Sequence, residues 1–181
     1  MKTLIIYSSA TGFTAKYAKW LAERTQAEVL PVHEAEKKND SYFEPYDAIV
    51  YGGWAMAGSI HKANWFLDRF EQWQDKRLAL FCVGASPLED NEDINEFLEN
   101  ALLPEQRRYA KVFYCPGGLN YERMGLGYRL MMRAFAAVMK RKHPEDKKMH
   151  ELISSSYDIS DPKYLDELVE YLEEDVKNEE K

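Results

Sequence analysis

Short apolar runs alternate along the chain with longer stretches in which apolar residues recur at helical spacing. Leu4-Ile5-Ile6-Tyr7 predicts a buried strand, and Thr14 to Thr25 a helix that turns Tyr17, Ala18 and Leu21 inward. Val29 to Val32 predicts a second, weaker strand, and Ala48-Ile49-Val50-Tyr51 a third. A glycine-rich loop then leads to an aromatic helix over Lys62 to Trp73. Leu78 to Val83 predicts a fourth strand and Lys111 to Cys115 a fifth. Between them lies a helix over Ile94 to Leu103, reached through Asp90, Asn91, Glu92 and Asp93. Continuous apolar strands alternating with amphipathic helices imply an α/β fold, with a parallel sheet covered on both faces.

The pattern changes after the fifth strand. Pro116-Gly117-Gly118 is a breaker, and Met124 to Lys142 predicts one long helix. Its apolar positions (Leu126, Leu130, Met131, Met132, Phe135, Val138 and Met139) nearly encircle it, leaving Arg129, Arg133 and Lys140 as a narrow basic stripe. His143 to Lys148 reads as a polar break, and Ser154 to Ser160 as an extended piece able to rejoin the sheet. Pro162 opens a final amphipathic helix over 162–178, with Leu165, Leu168, Val169 and Leu172 on one face. Residues 1–181 read as a single domain, with 116–150 inserted after the last strand.

Composition narrows the class. With 45% hydrophobic residues, 8 Phe, 4 Trp and 12 Tyr, the chain is not a disordered one. No run reaches the ~20 apolar residues of a membrane span, and the opening MKTLIIYSS lacks a signal peptide's long apolar core. Two cysteines and four scattered histidines build neither a disulfide framework nor a zinc site, so no metal is expected. The expectation is a cytoplasmic protein. Net charge is −7, and Asp161 to Lys181, with nine acids and three bases, supply −6 of it. Arg123 to Lys148 carry eight bases against two acids. That layout argues against nucleic-acid binding and permits one basic face.

Ligands of an open parallel sheet bind beyond the carboxyl ends of its strands. The first strand ends in Ser9-Ala10-Thr11-Gly12-Phe13-Thr14, which runs straight into a helix. Hydroxyls and a glycine at a helix N-terminus can cradle a phosphate on backbone N–H groups without a lysine. An ordinary helix cap by Thr11 or Thr14 is the competing reading. No Gly-x-x-x-x-Gly-Lys-Ser/Thr loop and no Gly-x-Gly-x-x-Gly fingerprint follows this strand, and the acids of a phospho-receiver are replaced by Ser8-Ser9 and Gly52-Gly53. After the third strand comes Gly52-Gly53-Trp54-Ala55-Met56-Ala57-Gly58, where glycines admit a flat ligand and Trp54 and Met56 offer apolar surface. The alternative is that Trp54 caps the neighbouring helix.

Ser9 to Thr14 resembles the FMN-phosphate loop of flavodoxins, and Gly52 to Gly58 lies where that family packs the isoalloxazine ring. The whole chain resembles, more closely, the flavodoxin-domain branch that contains the menaquinone-dependent protoporphyrinogen dehydrogenases. Met1-Lys2-Thr3-Leu4-Ile5, Tyr46-Asp47, Gly58 with His61, Gly118-Leu119-Asn120-Tyr121 and Tyr128-Arg129-Leu130-Met131-Met132-Arg133 carry that likeness. The resemblance implies a three-layer sandwich around a five-stranded parallel sheet of order 2-1-3-4-5. It also implies FMN, held by Ser9, Ala10, Thr11, Gly12, Phe13 and Thr14, by Gly53, Trp54, Ala55, Met56, Ala57 and Gly58, by Gly84, Ala85 and Ser86, and by Gly117 and Gly118. The function implied is FMN redox chemistry with a redox partner, or with a quinone- or porphyrin-type molecule. A simple electron carrier and a flavin-less interaction module are the rivals. Phe13 stands where flavodoxins usually have asparagine, and Gly84-Ala85-Ser86-Pro87 lacks the aromatic that simple flavodoxins stack on the flavin. Both departures count against an ordinary electron carrier.

No side chain stands out as an acid–base catalyst. Order 2-1-3-4-5 makes the strands of Cys82 and Cys115 adjacent, so the two thiols can be neighbours, with inert packing the favoured reading over a redox pair. His61 could contact a substrate, but a solvent-exposed helix-start residue is the favoured reading. The helix over 124–142 fits either a dimer or core surface, or a docking face for a flat quinone- or porphyrin-type partner or for anionic lipid, the last of which would place the protein at the inner face of a membrane. Packing is slightly favoured.

Overall fold

In the computed structural model, which describes residues 1–56, 58–88 and 92–174, five parallel strands form the centre. In chain order these are β1 (Thr3–Tyr7), β2 (Glu28–Pro31), β3 (Ala48–Met56) and, after a two-residue β4 (Ser59–Ile60), β5 (Arg77–Gly84) and β6 (Ala110–Pro116). Their order is β2-β1-β3-β5-β6, which is the expected 2-1-3-4-5 once β4, paired only to β3, is set aside. Side chains alternate between two cores. Leu4, Ile6, Ile49, Tyr51, Leu78, Leu80, Cys82 and Tyr114 fill one. Ile5, Val50, Ala79, Phe81, Val83 and Cys115 fill the other.

Helices α1 (Phe13–Thr25) and α7 (Asp166–Glu173) cover the second core, donating Tyr17, Ala18, Leu21, Leu168, Val169 and Leu172. The first core is closed by α2 (Val32–Ala35), α3 (Asn64–Leu67) and α4 (Glu92–Asn100), with aromatic weight from Phe43, Phe66, Phe70 and Trp73. This is a three-layer α/β sandwich with a parallel sheet. The described part of the C-terminal helix starts with a 3-10 turn at Pro162–Leu165; the last residues of the expected 162–178 span, like Asp90 and Asn91, lie outside the described residues.

Four expectations about elements need correction. The aromatic segment after the third strand is not one helix. Arg69 donates from Nη1 to the Trp65 carbonyl, while its own N–H turns to Phe66, so α3 gives way to a 3-10 turn at Phe70–Trp73. The glycine-rich stretch is not a loop either, because β3 runs through it to Met56 and pairs Trp54 with Val83. The polar break after the long helix α5 (Leu126–Lys142) ends in the start of a further helix, α6 (Lys147–Ser154), capped by Asp146 on the Met149 N–H. The extended piece, β8 (Tyr157–Asp158), pairs antiparallel with β7 (Gly118–Leu119) and not with the central sheet.

The thiols are not neighbours. Register pairs Cys82 with Tyr114 and Val83 with Cys115, so the two sulfurs point to opposite cores. Burial pushes both thiol pKa values well up. Both are inert packing groups.

Candidate functional site

The ends of β1, β3, β5 and β6 converge on one edge of the sheet. Just beyond β1, Gly12 adopts φ 104°, a left-handed conformation natural to glycine, and serves as N-cap of α1. No side chain caps this helix, which excludes the cap reading of Thr11 and Thr14. Ser9 Oγ instead accepts from the Gly12 N–H at 3.2 Å, bending the loop. Thr14 is buried, and Phe13 packs its ring into the second core beside Gly117. Among the described residues no side chain accepts from the first-turn N–H groups, which lie at the positive end of the helix dipole.

One cation stands over this turn. A Cβ on Gly12 would lie 3.0 Å from Nη1 of Arg123, so the exposed guanidinium rests directly on the loop. Arg123 is held there by its N–H, which donates to Asn120 Oδ1 at 2.9 Å. Sequence reasoning missed Arg123, because a contact between Gly12 and the insertion leaves no local signal.

The β3 glycines do something other than admit a ligand. A Cβ on Gly52 would fall 2.1 Å from the Phe81 ring, and one on Gly53 would fall 2.5 Å from Ile60 and 2.9 Å from the His61 carbonyl. Both admit protein atoms. Trp54 is half-buried, and its indole stacks on the His61 imidazole with centroids 3.6 Å apart and planes 17° from parallel. His61 Nδ1 shares a 3.2 Å hydrogen bond with Ser8 Oγ, and Tyr51 donates to the His61 carbonyl at 2.8 Å. His61 is therefore no exposed helix-start residue; it is part of the wall. Burial, and then the nearby Lys62, hold its pKa below the ordinary histidine value. Tyr128 of α5 meets the edge of Trp54 at 6.4 Å, so the insertion also reaches this wall. Ala55 is exposed, Met56 half-buried and Gly58 open with φ 78°, while Ala57 lies outside the described residues.

Opposite lies the turn after β5. The Ser86 N–H donates to Tyr114 Oη at 3.1 Å, and that hydroxyl donates back to the Ser86 carbonyl at 3.0 Å. Tyr157 donates to the Ala85 carbonyl at 2.6 Å, and burial raises its pKa to about 12. Gly84 leaves room for the Tyr114 phenol, which a Cβ would meet at 2.1 Å. Gly117 bonds the Gly84 carbonyl at 2.7 Å, and Gly118, at φ 136°, pairs through β7 with β8. Although Gly84-Ala85-Ser86-Pro87 has no aromatic of its own, Tyr157 supplies one from across the insertion.

A model of the flavodoxin domain matches residues 4–146. The chain belongs to the flavodoxin domain family. Among characterised proteins it is 25% identical over 168 residues to protoporphyrinogen IX dehydrogenase [quinone] of Escherichia coli strain K12, covering 87% of this chain and 90% of that one. It is 31% identical over 121 residues to the flavodoxin-like domain-containing protein BilS of Clostridioides difficile, 65% of this chain and 66% of that one. Solved structures similar to it include a putative flavoprotein from Bacteroides eggerthii (TM-score 0.47, 16% identity, 76% of this chain and 96% of that chain). Flavodoxin 1 of Bacillus cereus is another (TM-score 0.44, 17% identity, 74% and 95%).

Proposed function

We propose that this protein binds FMN and works as an FMN-dependent oxidoreductase. The observation that carries the reading is the uncapped, left-handed Gly12 turn at the start of α1, with Arg123 lying over it, in a chain of the flavodoxin domain family. The turn fits a phosphate: no side chain caps its backbone donors, and the Gly12 conformation leaves space where a Cβ would press on the guanidinium. Ser9, Thr11 and Thr14, with the first-turn N–H groups and Arg123, would hold that phosphate. Trp54 with His61 on one side, and the 84–86 turn with Tyr157 on the other, would flank the ring. When bound, the flavin supplies electron or hydride transfer. The chain's own groups would orient it, and Trp54 and Tyr157 would help to exclude water from it.

A single phosphate cradle favours FMN over FAD. A relative named for protoporphyrinogen and quinone supports a flat, quinone- or porphyrin-type reaction partner. Release of the cofactor from purified protein and its mass analysis test the reading. FMN at stoichiometric occupancy is expected, while a colourless protein that takes up no FMN overturns it. Turnover of a quinone or a porphyrinogen by the loaded protein then separates an enzyme from an electron carrier.

An anionic membrane surface as partner of α5 is part of the same proposal, with contact through the apolar face of the helix instead of the basic stripe. Half of α5 is apolar and exposed, with Leu126 at 79% and Leu130 at 65% exposure, joined by Met131, Phe135 and Val138. Lys140, Arg141 and Lys142 lie at its C-terminal end. Arg129, counted in the stripe by sequence, turns instead into a cavity. Among the described residues no helix is long and apolar enough to cross a membrane. Shallow contact by an amphipathic helix is the mode that α5 fits. A second copy of the chain on the same face is the competing outcome.

A further inference from the structure

The insertion forms an open, solvent-facing cavity of its own, apart from the turn at Gly12. About 600 Å³ in volume, it lies between α5, the Tyr121–Glu122 corner and the end of α6. Such a volume falls in the range of small-molecule sites.

Its wall carries an unsatisfied cation. Arg129 donates from Nη2 to the Glu122 carbonyl at 3.0 Å, but its Nε is buried and has no hydrogen-bond partner. A buried donor left unpaired is costly, and more so on a charged group. Arg133, four residues along α5, lines the same cavity, and among the described residues neither guanidinium has a carboxylate within ion-pair distance. Like charges at this spacing repel unless an anion joins them.

One acid faces the two bases. Glu122 accepts from Ser156 Oγ at 2.6 Å, and that bond holds its pKa below the ordinary range, so it is ionised at neutral pH. The wall thus carries two positive charges and one negative. A net charge of one matches a carboxylate better than a phosphate ester, which carries about −1.5 to −2. The free donors agree. Ser155 Oγ is spent on the Glu151 carbonyl at 2.9 Å and Ser156 Oγ on Glu122, leaving Arg129 Nη1, the Arg133 fork and Ser154 Oγ. Two oxygens can use these donors, in the charge-assisted geometry that arginine favours. The remaining space exceeds what a carboxylate alone occupies.

We propose that the cavity between α5 and α6 is a carboxylate-binding site, which takes the acid group of an organic molecule larger than the anion itself, on Arg129 and Arg133. Nothing in this rests on the flavin reading, and flavin content plays no part in its test.

The test is a titration of the full ¹⁵N-labelled chain with hexanoate, followed by NMR. Hexanamide, neutral and equal in length, and inorganic phosphate serve as comparisons. Hexanoate should produce saturable shifts at Tyr121 and Ser154 to Ser156, and hexanamide none. Arg133→Gln should weaken hexanoate about tenfold or more, as should Arg129→Lys, which keeps the charge but loses the fork. Should Arg129→Lys not fold, Arg133→Gln decides alone. Absence of saturable shifts, equal response to hexanamide, tighter binding of phosphate than of hexanoate, or unchanged affinity in the folded variants would each overturn the proposal.

Discussion

The indole of Trp54 and the imidazole of His61 lie face to face, 3.6 Å between centroids, at the base of the β3–β4 hairpin. The stack places a titratable ring in the wall of the candidate flavin site. Because burial disfavours its charged form, His61 should titrate below 6.5 in the folded protein. Unfolded histidine takes its proton near 6.5. The associated stability is therefore complete above that pH and declines as pH falls toward the folded midpoint. NMR titration of the imidazole checks the midpoint. His61→Phe, which keeps the stack, should flatten this part of the pH–stability profile.

Thr11 and Thr14 do not cap α1, so removing both hydroxyls should leave the helix almost unchanged while weakening FMN. Thr11→Ala with Thr14→Ala should cost about 3 kcal/mol of binding, the worth of two hydrogen bonds to a charged group. Flavin fluorescence measures the affinity, and circular dichroism shows whether the helix survives. Unchanged affinity would remove the hydroxyls from the site.

Arg123 gives the cradle a cation that the loop sequence lacks. Arg123→Gln should weaken FMN about tenfold and reduce the salt dependence of binding, since one charge near the phosphate is gone. Titrations at low and high salt, with wild type and variant, read both effects. Equal salt slopes in the two proteins would place Arg123 outside the cradle.

Gly118 is the glycine least able to accept a side chain. A Cβ there would fall 2.1 Å from the Tyr157 carbonyl oxygen, on a backbone already at φ 136°. Gly118→Ala should destabilise by more than about 1 kcal/mol and loosen the β7–β8 pair. Gly127, with nothing within 4 Å of its would-be Cβ, provides the control, and Gly127→Ala should stabilise slightly. Chemical denaturation compares the two.

Vesicle co-sedimentation tests the exposed half of α5. Binding should need anionic lipid, fall with salt and lose most of its strength in Leu130→Ser with Phe135→Ser. Lys140→Gln, Arg141→Gln and Lys142→Gln together should cost about 1 kcal/mol per charge. Indifference to anionic vesicles at low salt would turn attention to a dimer.

The sheet was legible because its signal is local. Runs such as Leu4 to Tyr7 and Leu78 to Val83 are apolar on both faces, and only a doubly covered strand needs that. The turn into α1 that is the candidate phosphate cradle was legible for the same reason, since Ser9 to Thr14 are contiguous. Glycine misled at Gly52 and Gly53, where its small size serves Phe81 and Ile60 inside a continuing strand. What escaped was long-range: Arg123 on Gly12, Tyr128 on Trp54 and Tyr157 on Ala85 all depend on how the insertion folds back. His61 escaped because its partners, Ser8 and Trp54, belong to two different strand ends.

Cys82 and Cys115, sealed on opposite sides of one sheet, amount to two independent clocks. A thiol reagent can reach Cys82 only when the layer of α2, α3 and α4 lifts, and Cys115 only when that of α1 and α7 does. Labelling each in a single-cysteine variant would time the two openings separately. Equal rates would mean that the sandwich comes apart as one cooperative unit, and unequal rates would show which layer leaves first.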